Sequence, residues 1–211
     1  MRSTFYIYLV ALSLFASCKT TSPIVQSPAT IEKPVIDSTI PASISDYDQL
    51  RLKADSLAQA YIITDGHVDL PYRLKIKNFR LSKEYLGIPI QTDEGDFDYV
   101  RAKEGGLDAP FMSIYIPAAN QETKGASKAL ADSLITMIEG IAEVHPDKFG
   151  IAYGPENAAQ LVKEGKIALP MGMENGAGIE DDLDNIRHFK NRGISYITLT
   201  HSRDNLSLIH I

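Results

Sequence analysis

Residues 62–71 read Ile62-Ile63-Thr64-Asp65-Gly66-His67-Val68-Asp69-Leu70-Pro71. The two isoleucines favour a strand, and Pro71 has no N–H to give to a ladder, so the run is expected to be a buried strand that stops at a working edge. Side chains alternate across a strand, which puts His67 and Asp69 on one side, an imidazole nitrogen beside a carboxylate oxygen. Such a pair can converge on one cation. In isolation a hydrogen-bonded structural pair is the commoner meaning of His-x-Asp. Further acids and imidazoles at the ends of other apolar strands decide between the two.

Upstream, Tyr47, Leu50, Leu57 and Tyr61 recur at helical spacing, so 46–61 is expected to be a helix with Ser45 or Asp46 as its N-cap. Downstream, 72–107 lacks a sustained period apart from a short helix over 98–104, and a segment of that length beside a metal site is expected to wall its pocket. Beyond it, strands are expected over 109–116, 149–152, 167–173 and 194–200. Helices alternate with them over 127–145, 155–163 and 181–191.

Strand–helix alternation implies parallel strands with crossover helices, in either an open doubly wound sheet or a closed (β/α)8 barrel. No glycine-rich phosphate turn follows any strand. Polar residues instead gather at strand ends: His67 and Asp69 after the first, Glu174 after the fourth, His201 after the fifth. That is where barrel enzymes build their sites. The expected fold is therefore α/β, a (β/α)8 TIM-like barrel truncated after about five strands.

The 211 residues are 44% hydrophobic with a formal net charge of −6 and a pI near 5.4. This is the balance of an ordinary soluble domain, and with no basic patch to release counterions, no nucleic-acid partner is expected. The single cysteine, Cys18, allows neither an intrachain disulfide nor a thiolate cage, so any metal must be held by nitrogen and oxygen. Met1-Arg2 and the apolar run 5–16, too short to span a bilayer, lead into Ala16-Ser17-Cys18. Leu14-Phe15-Ala16-Ser17-Cys18 resembles a bacterial lipobox, with Phe15 where leucine is more usual. The resemblance implies a signal peptide over 1–17, lipidation of Cys18, and an exported lipoprotein anchored to a membrane. A plain secretory signal with an incidental cysteine would also take the protein out of the cytoplasm. Residues 18–45 carry Pro23, Pro28, Pro34 and Pro41 among serines and threonines, the composition of an extended tether.

Glu174 stands in Gly172-Met173-Glu174-Asn175-Gly176 and His201 in Leu199-Thr200-His201-Ser202. Alone, each has an ordinary meaning, a solvated loop acid and a capping or core histidine. Together with Asp65-Gly66-His67-Val68-Asp69-Leu70-Pro71 they are more specific. With Asp182-Leu183 and Gly193-Ile194-Ser195-Tyr196-Ile197-Thr198-Leu199-Thr200-His201, these segments resemble the membrane dipeptidase family, also called renal dipeptidase or peptidase family M19, of the metal-dependent hydrolase barrels. The resemblance runs over about 46–205.

It implies a metallo-dipeptidase with two Zn2+ ions and a small dipeptide as substrate, some members accepting a D-residue at the second position. By that likeness His67 and Asp69 ligate one zinc and Glu174 bridges it to the second. A metal-bridged hydroxide then attacks the peptide carbonyl, which a substrate-binding His201 polarises without being a metal ligand. The likeness also admits a homodimer. Two histidines for the second zinc, an arginine for the substrate carboxylate and a proton-shuttling aspartate would fall past residue 211. The 211-residue chain is therefore expected to be inactive. Residues 206–211 leave the family pattern and read like a translated sequencing adapter, so they are expected to be a non-native tail. His145 and His188 are expected at the surface. Two other functions fit the same residues: another barrel metallohydrolase acting on a lactone, ester or other amide, or an anchored binding protein without chemistry.

Overall fold

The computed structural model describes residues 45–77 and 89–205. The expected signal peptide, the expected lipidation site Cys18, the expected tether short of Ser45 and the expected non-native tail 206–211 lie outside the described residues.

Helix α1 (Asp46–Ala60) starts where expected: Ser45 Oγ accepts from the Asp48 N–H at 3.2 Å, and Asp46 and Asp48 complement the helix dipole in the first turn. Strand β1 (Ile63–Val68) follows. Among the described residues it is paired on one side only, by β2 (Leu107–Tyr115), and it is exposed along nearly its whole length. The expectation of a buried strand is corrected here, since among the described residues β1 is the outer strand of its sheet.

The strand stops at Val68, ahead of Pro71, as expected, and the proline itself belongs to the next element. Helix α2 (Leu70–Ile76) begins there, with Asp69 at its N-cap position and proline in the first turn, where a missing N–H costs nothing. Residues 99–104 form α3 (Tyr99–Glu104), capped by Asp98, whose carboxylate accepts from the Arg101 N–H at 2.9 Å.

The remaining elements are α4 (Ala126–Val144), β3 (Phe149–Ile151), α5 (Pro155–Lys163), β4 (Ile167–Leu169), β5 (Met171–Glu174), α6 (Asp184–Asn191) and β6 (Ile194–Ile197). The single strand expected over 167–173 is divided at Pro170. Proline breaks the run of N–H donors, so Ile167–Leu169 pairs with β3 while Met171–Glu174 pairs with β2 and β6. The main sheet has the order β1-β2-β5-β6, all parallel, and β3-β4 form a second parallel pair.

Alternation along β2 and β5 sorts the two faces of the main sheet. Met112, Ile114, Met171 and Met173 point to one face, fully buried in a core that includes Ala131, Leu134, Ile135, Ile138 and Ile141 of α4. Those α4 residues recur every three or four positions, the stripe a helix needs to cover a sheet. Each leucine, isoleucine or methionine among them contributes about 1.5–3 kcal/mol by leaving water. The opposite parity, Ser113 and Tyr115 of β2 with Gly172 and Glu174 of β5, faces the other way. Among the described residues no helix is long and apolar enough to cross a membrane.

Candidate metal centre

Because the four strands of the main sheet are parallel, their carboxyl ends lie at one end of the sheet, and the residues singled out in the sequence follow those ends. His67 and Asp69 leave β1 on the same side, with His67 Nε2 at 3.3 Å from Asp69 Oδ1. Glu174 closes β5 and brings Oε2 to 3.2 Å from His67 Nε2. One nitrogen and two carboxylate oxygens thus lie within 4.8 Å of one another. His201, four residues past the end of β6, places Nε2 at 3.4 Å from the other Glu174 oxygen, Oε1. It touches the cluster through Glu174 and is not one of the three converging groups.

The donor set fits a divalent cation. With bonds of about 2.1 Å in a tetrahedral site, donor atoms stand roughly 3.4 Å apart, close to the separations found here. Asp69 sits at the N-cap position of α2 but makes no capping hydrogen bond with its side chain, so the carboxylate is turned to His67 rather than spent on the helix. Two carboxylates facing one imidazole carry more negative charge than the ring can balance. A cation removes that repulsion.

Glu174 is the least exposed member of the group and the most firmly held. Ser113 Oγ, fully buried on β2, donates to Glu174 Oε2 at 3.2 Å. Asn175 follows with φ +84, a backbone that asparagine tolerates better than most residues. Its buried side chain donates to the Ile116 carbonyl (2.8 Å) and accepts from the Ala177 N–H (3.1 Å) and from Asn205 Nδ2 (2.8 Å). Its own N–H donates to Thr198 Oγ1 at 2.8 Å. The turn after Glu174 is thereby tied to β2, to the segment after β6 and to Asn205.

The sequence reading gave no role to Ser113 or Asn175. A lone serine in the apolar run 109–116 and an asparagine before Gly176 were the available signals. Tyr115 was also missed: its ring meets His201 edge-on at 5.0 Å and Tyr72 at 5.0 Å. Burial, and then the negative charge of Glu174, raises the Tyr115 phenol above its ordinary pKa, and the same two causes act on Tyr196. Both phenols are therefore hydrogen-bond donors at neutral pH.

Segment 92–97 bears out part of the expectation for 72–107. Thr92, Gly95 and Phe97 join Val68, Asp69 and Arg73 in lining a cavity of about 600 Å3 that opens beside Asp69. Residues 78–88 lie outside the described residues. The two remaining histidines are not simple surface groups. His188 is half-buried with Nε2 at 2.7 Å from Asp132 Oδ1, and His145 has a buried Nε2 without a hydrogen-bond partner and an edge contact with Phe149. Helix α6 packs its Phe189 into the core beside α4, which draws His188 inward with it.

A family model described as membrane dipeptidase, peptidase family M19, matches residues 51–207. Dipeptidase ataJ of Aspergillus terreus is 26% identical over 162 residues, covering 73% of this chain and 38% of that protein. Dipeptidase 3 of Rattus norvegicus is 28% identical over 152 residues, covering 72% and 30%. The chain spans about a third of the length of these curated relatives. Among solved structures, the probable dipeptidase PvdM from Pseudomonas aeruginosa superposes with a TM-score of 0.60 at 21% identity, over 75% of this chain and 39% of that one. A metallopeptidase from Rhodobacter sphaeroides, liganded with a phosphinate mimic of the dipeptide L-Ala-D-Ala, gives 0.58 at 20% identity, over 67% and 46%. These likenesses establish the fold: the parallel strands and crossover helices described above are those of part of a (β/α)8 barrel.

Proposed function

The chain belongs to the membrane dipeptidase family, peptidase family M19, and from that premise we propose that its protein is a zinc-dependent dipeptidase whose metal is held by His67, Asp69 and Glu174. The observation that carries this is the convergence of His67 Nε2, Asp69 Oδ1 and Glu174 Oε2 at the carboxyl end of the sheet. Zinc held by these residues would supply Lewis-acid polarisation of a carbonyl and a more acidic water.

The residues of this chain do the holding and orienting. His67 would offer Nε2 to the metal, and Asp69 adds an oxygen from the first residue past β1. Glu174 turns Oε2 to His67 and Oε1 to His201, so it would help hold the metal while staying in contact with the histidine that faces the substrate. Ser113 keeps that carboxylate from rotating. His201 donates through Nε2 to the substrate carbonyl oxygen, where negative charge grows in the transition state, and the edge contact with Tyr115 fixes the plane of its ring. Small dipeptides are the proposed substrates, including those with a D-residue at the second position. The L-Ala-D-Ala mimic held by the Rhodobacter protein supports that choice. The protein is proposed to be exported and anchored through a lipid on Cys18. A Cys18→Ser variant should move from the membrane to the soluble fraction.

The test of the site is Glu174→Gln in the full-length protein. Loss of bound zinc together with loss of hydrolysis across a dipeptide panel is the expected result. Full turnover with zinc still stoichiometric would end the role given to Glu174.

A further inference from the structure

We propose that Tyr196 is a positioning residue for the metal centre, its hydroxyl fixing the bulged part of β1 that presents His67. The inference rests on the reading of His67 as a metal ligand.

The register of β1 against β2 runs Asp65↔Pro110 and then Val68↔Met112, three steps on one strand against two on the other. Gly66 and His67 occupy that bulge. A bulge leaves backbone groups outside the ladder, and something else has to hold them. Two side chains do so here. Asp65 Oδ1 accepts from the His67 N–H at 2.8 Å, and the Gly66 carbonyl accepts from the Tyr196 hydroxyl at 2.9 Å.

Tyr196 comes from β6, the strand at the opposite margin of the sheet from β1. Its side chain crosses the two strands between them. Over β5 it lies against Gly172, where a Cβ would stand 2.1 Å from Tyr196 Cζ, so only glycine lets the ring pass. Over β2 the ring meets Phe111 with centroids 5.5 Å apart. At β1 its hydroxyl reaches the carbonyl just before His67. The ring thus bridges the margins of the sheet on the face that carries Glu174.

Packing against Phe111 and Gly172 would serve the fold whatever the hydroxyl did. The hydroxyl is the part that acts on His67, and Tyr196→Phe removes it while keeping the ring. In the full-length protein we would measure three things: the unfolding midpoint without metal, the Zn2+ dissociation constant by competition with a chromogenic chelator, and the visible spectrum of the Co2+ form. Groups that orient a metal ligand typically change affinity about 10–100-fold when removed. Tyr196→Phe should therefore unfold like the parent, bind Zn2+ about tenfold more weakly and give an altered Co2+ spectrum. Gly172→Ala, which displaces the ring but keeps the hydroxyl, should weaken Zn2+ binding similarly.

His67→Ala separates this inference from the reading beneath it. If His67→Ala loses the metal while Tyr196→Phe binds as the parent does with an unchanged spectrum, the positioning role is overturned and the ligand stands. If stability and affinity fall in parallel in Tyr196→Phe, the tie belongs to the fold alone and the proposal is again overturned. If His67→Ala binds Zn2+ like the parent, the metal centre itself has been misread and the inference goes with it.

Discussion

His67 and Glu174 belong to strands that do not pair with each other, yet Nε2 of one lies 3.2 Å from Oε2 of the other. Strand β2 runs between them and contributes Ser113, whose hydroxyl donates to the same glutamate oxygen. The gap between the outer strand and β5 is thus filled by a group that binds one of the two facing residues. Parallel strands make this possible, since their ends come to one end of the sheet and the twist of the sheet turns their side chains together.

Ser113→Ala removes a buried donor from Glu174 without changing the strand. We expect Zn2+ affinity of the full-length protein to fall about tenfold. Stability should fall by only about 1 kcal/mol, the net worth of one hydrogen bond. Chelator competition and urea unfolding measure the two separately, and unchanged affinity would remove Ser113 from the centre.

Asn175→Ala should cost more in stability. It deletes four side-chain hydrogen bonds, to Ile116, Gln121, Ala177 and Asn205, in a buried turn and puts alanine at φ +84. Unpaired buried groups and a strained backbone together suggest a loss of about 2–4 kcal/mol in urea unfolding. A loss within about 0.5 kcal/mol, the range of a neutral surface change, would mean that the turn is held by its neighbours instead.

The candidate ligands were legible in the sequence because each sits at a place where pattern and chemistry coincide. His67 lies at the end of β1 with Asp69 two residues on, just past it, and Glu174 ends β5. What was not legible depends on contacts between distant segments. Pro71 could end a strand or start a helix, and the choice fell to the helix because Leu74 of α2 buries itself in the core. Pro170 splits a run that is apolar throughout, and only the two different partner strands reveal the break. Ser113 and Tyr196 looked like ordinary strand residues, since their hydroxyls act on residues of other strands, far away in the chain.

Asp132 joins α4 to α6 and to the residue just after it. Its carboxylate is 2.6 Å from Lys128 Nζ, 2.7 Å from His188 Nε2 and 3.0 Å from an Arg192 nitrogen. Burial pushes the carboxyl pKa up, but hydrogen bonds from Lys128 and His188 outweigh it and hold the group below its usual value. A depressed folded-state pKa gives stability that is present above the unfolded value of about 4 and lost as pH falls through the folded value. Asp132→Asn should therefore destabilise the protein by about 1–2 kcal/mol at pH 7. The difference should shrink as the pH drops below about 4. Unfolding curves for both proteins from pH 7 down to pH 2 check this, and a constant gap across the range would refute it.

His201→Ala tests the division of labour around Glu174. If His201 serves the substrate and not the metal, kcat on a dipeptide should fall about 100-fold or more while zinc content stays that of the parent. Zinc loss in step with activity would make His201 a ligand.

The most direct measurement is anomalous diffraction at the zinc absorption edge from crystals of the full-length protein. The account predicts a peak about 2.0–2.2 Å from His67 Nε2, Asp69 Oδ1 and Glu174 Oε2. A zinc-loaded crystal with no peak among those three atoms, or with its peaks held by other residues, would contradict it.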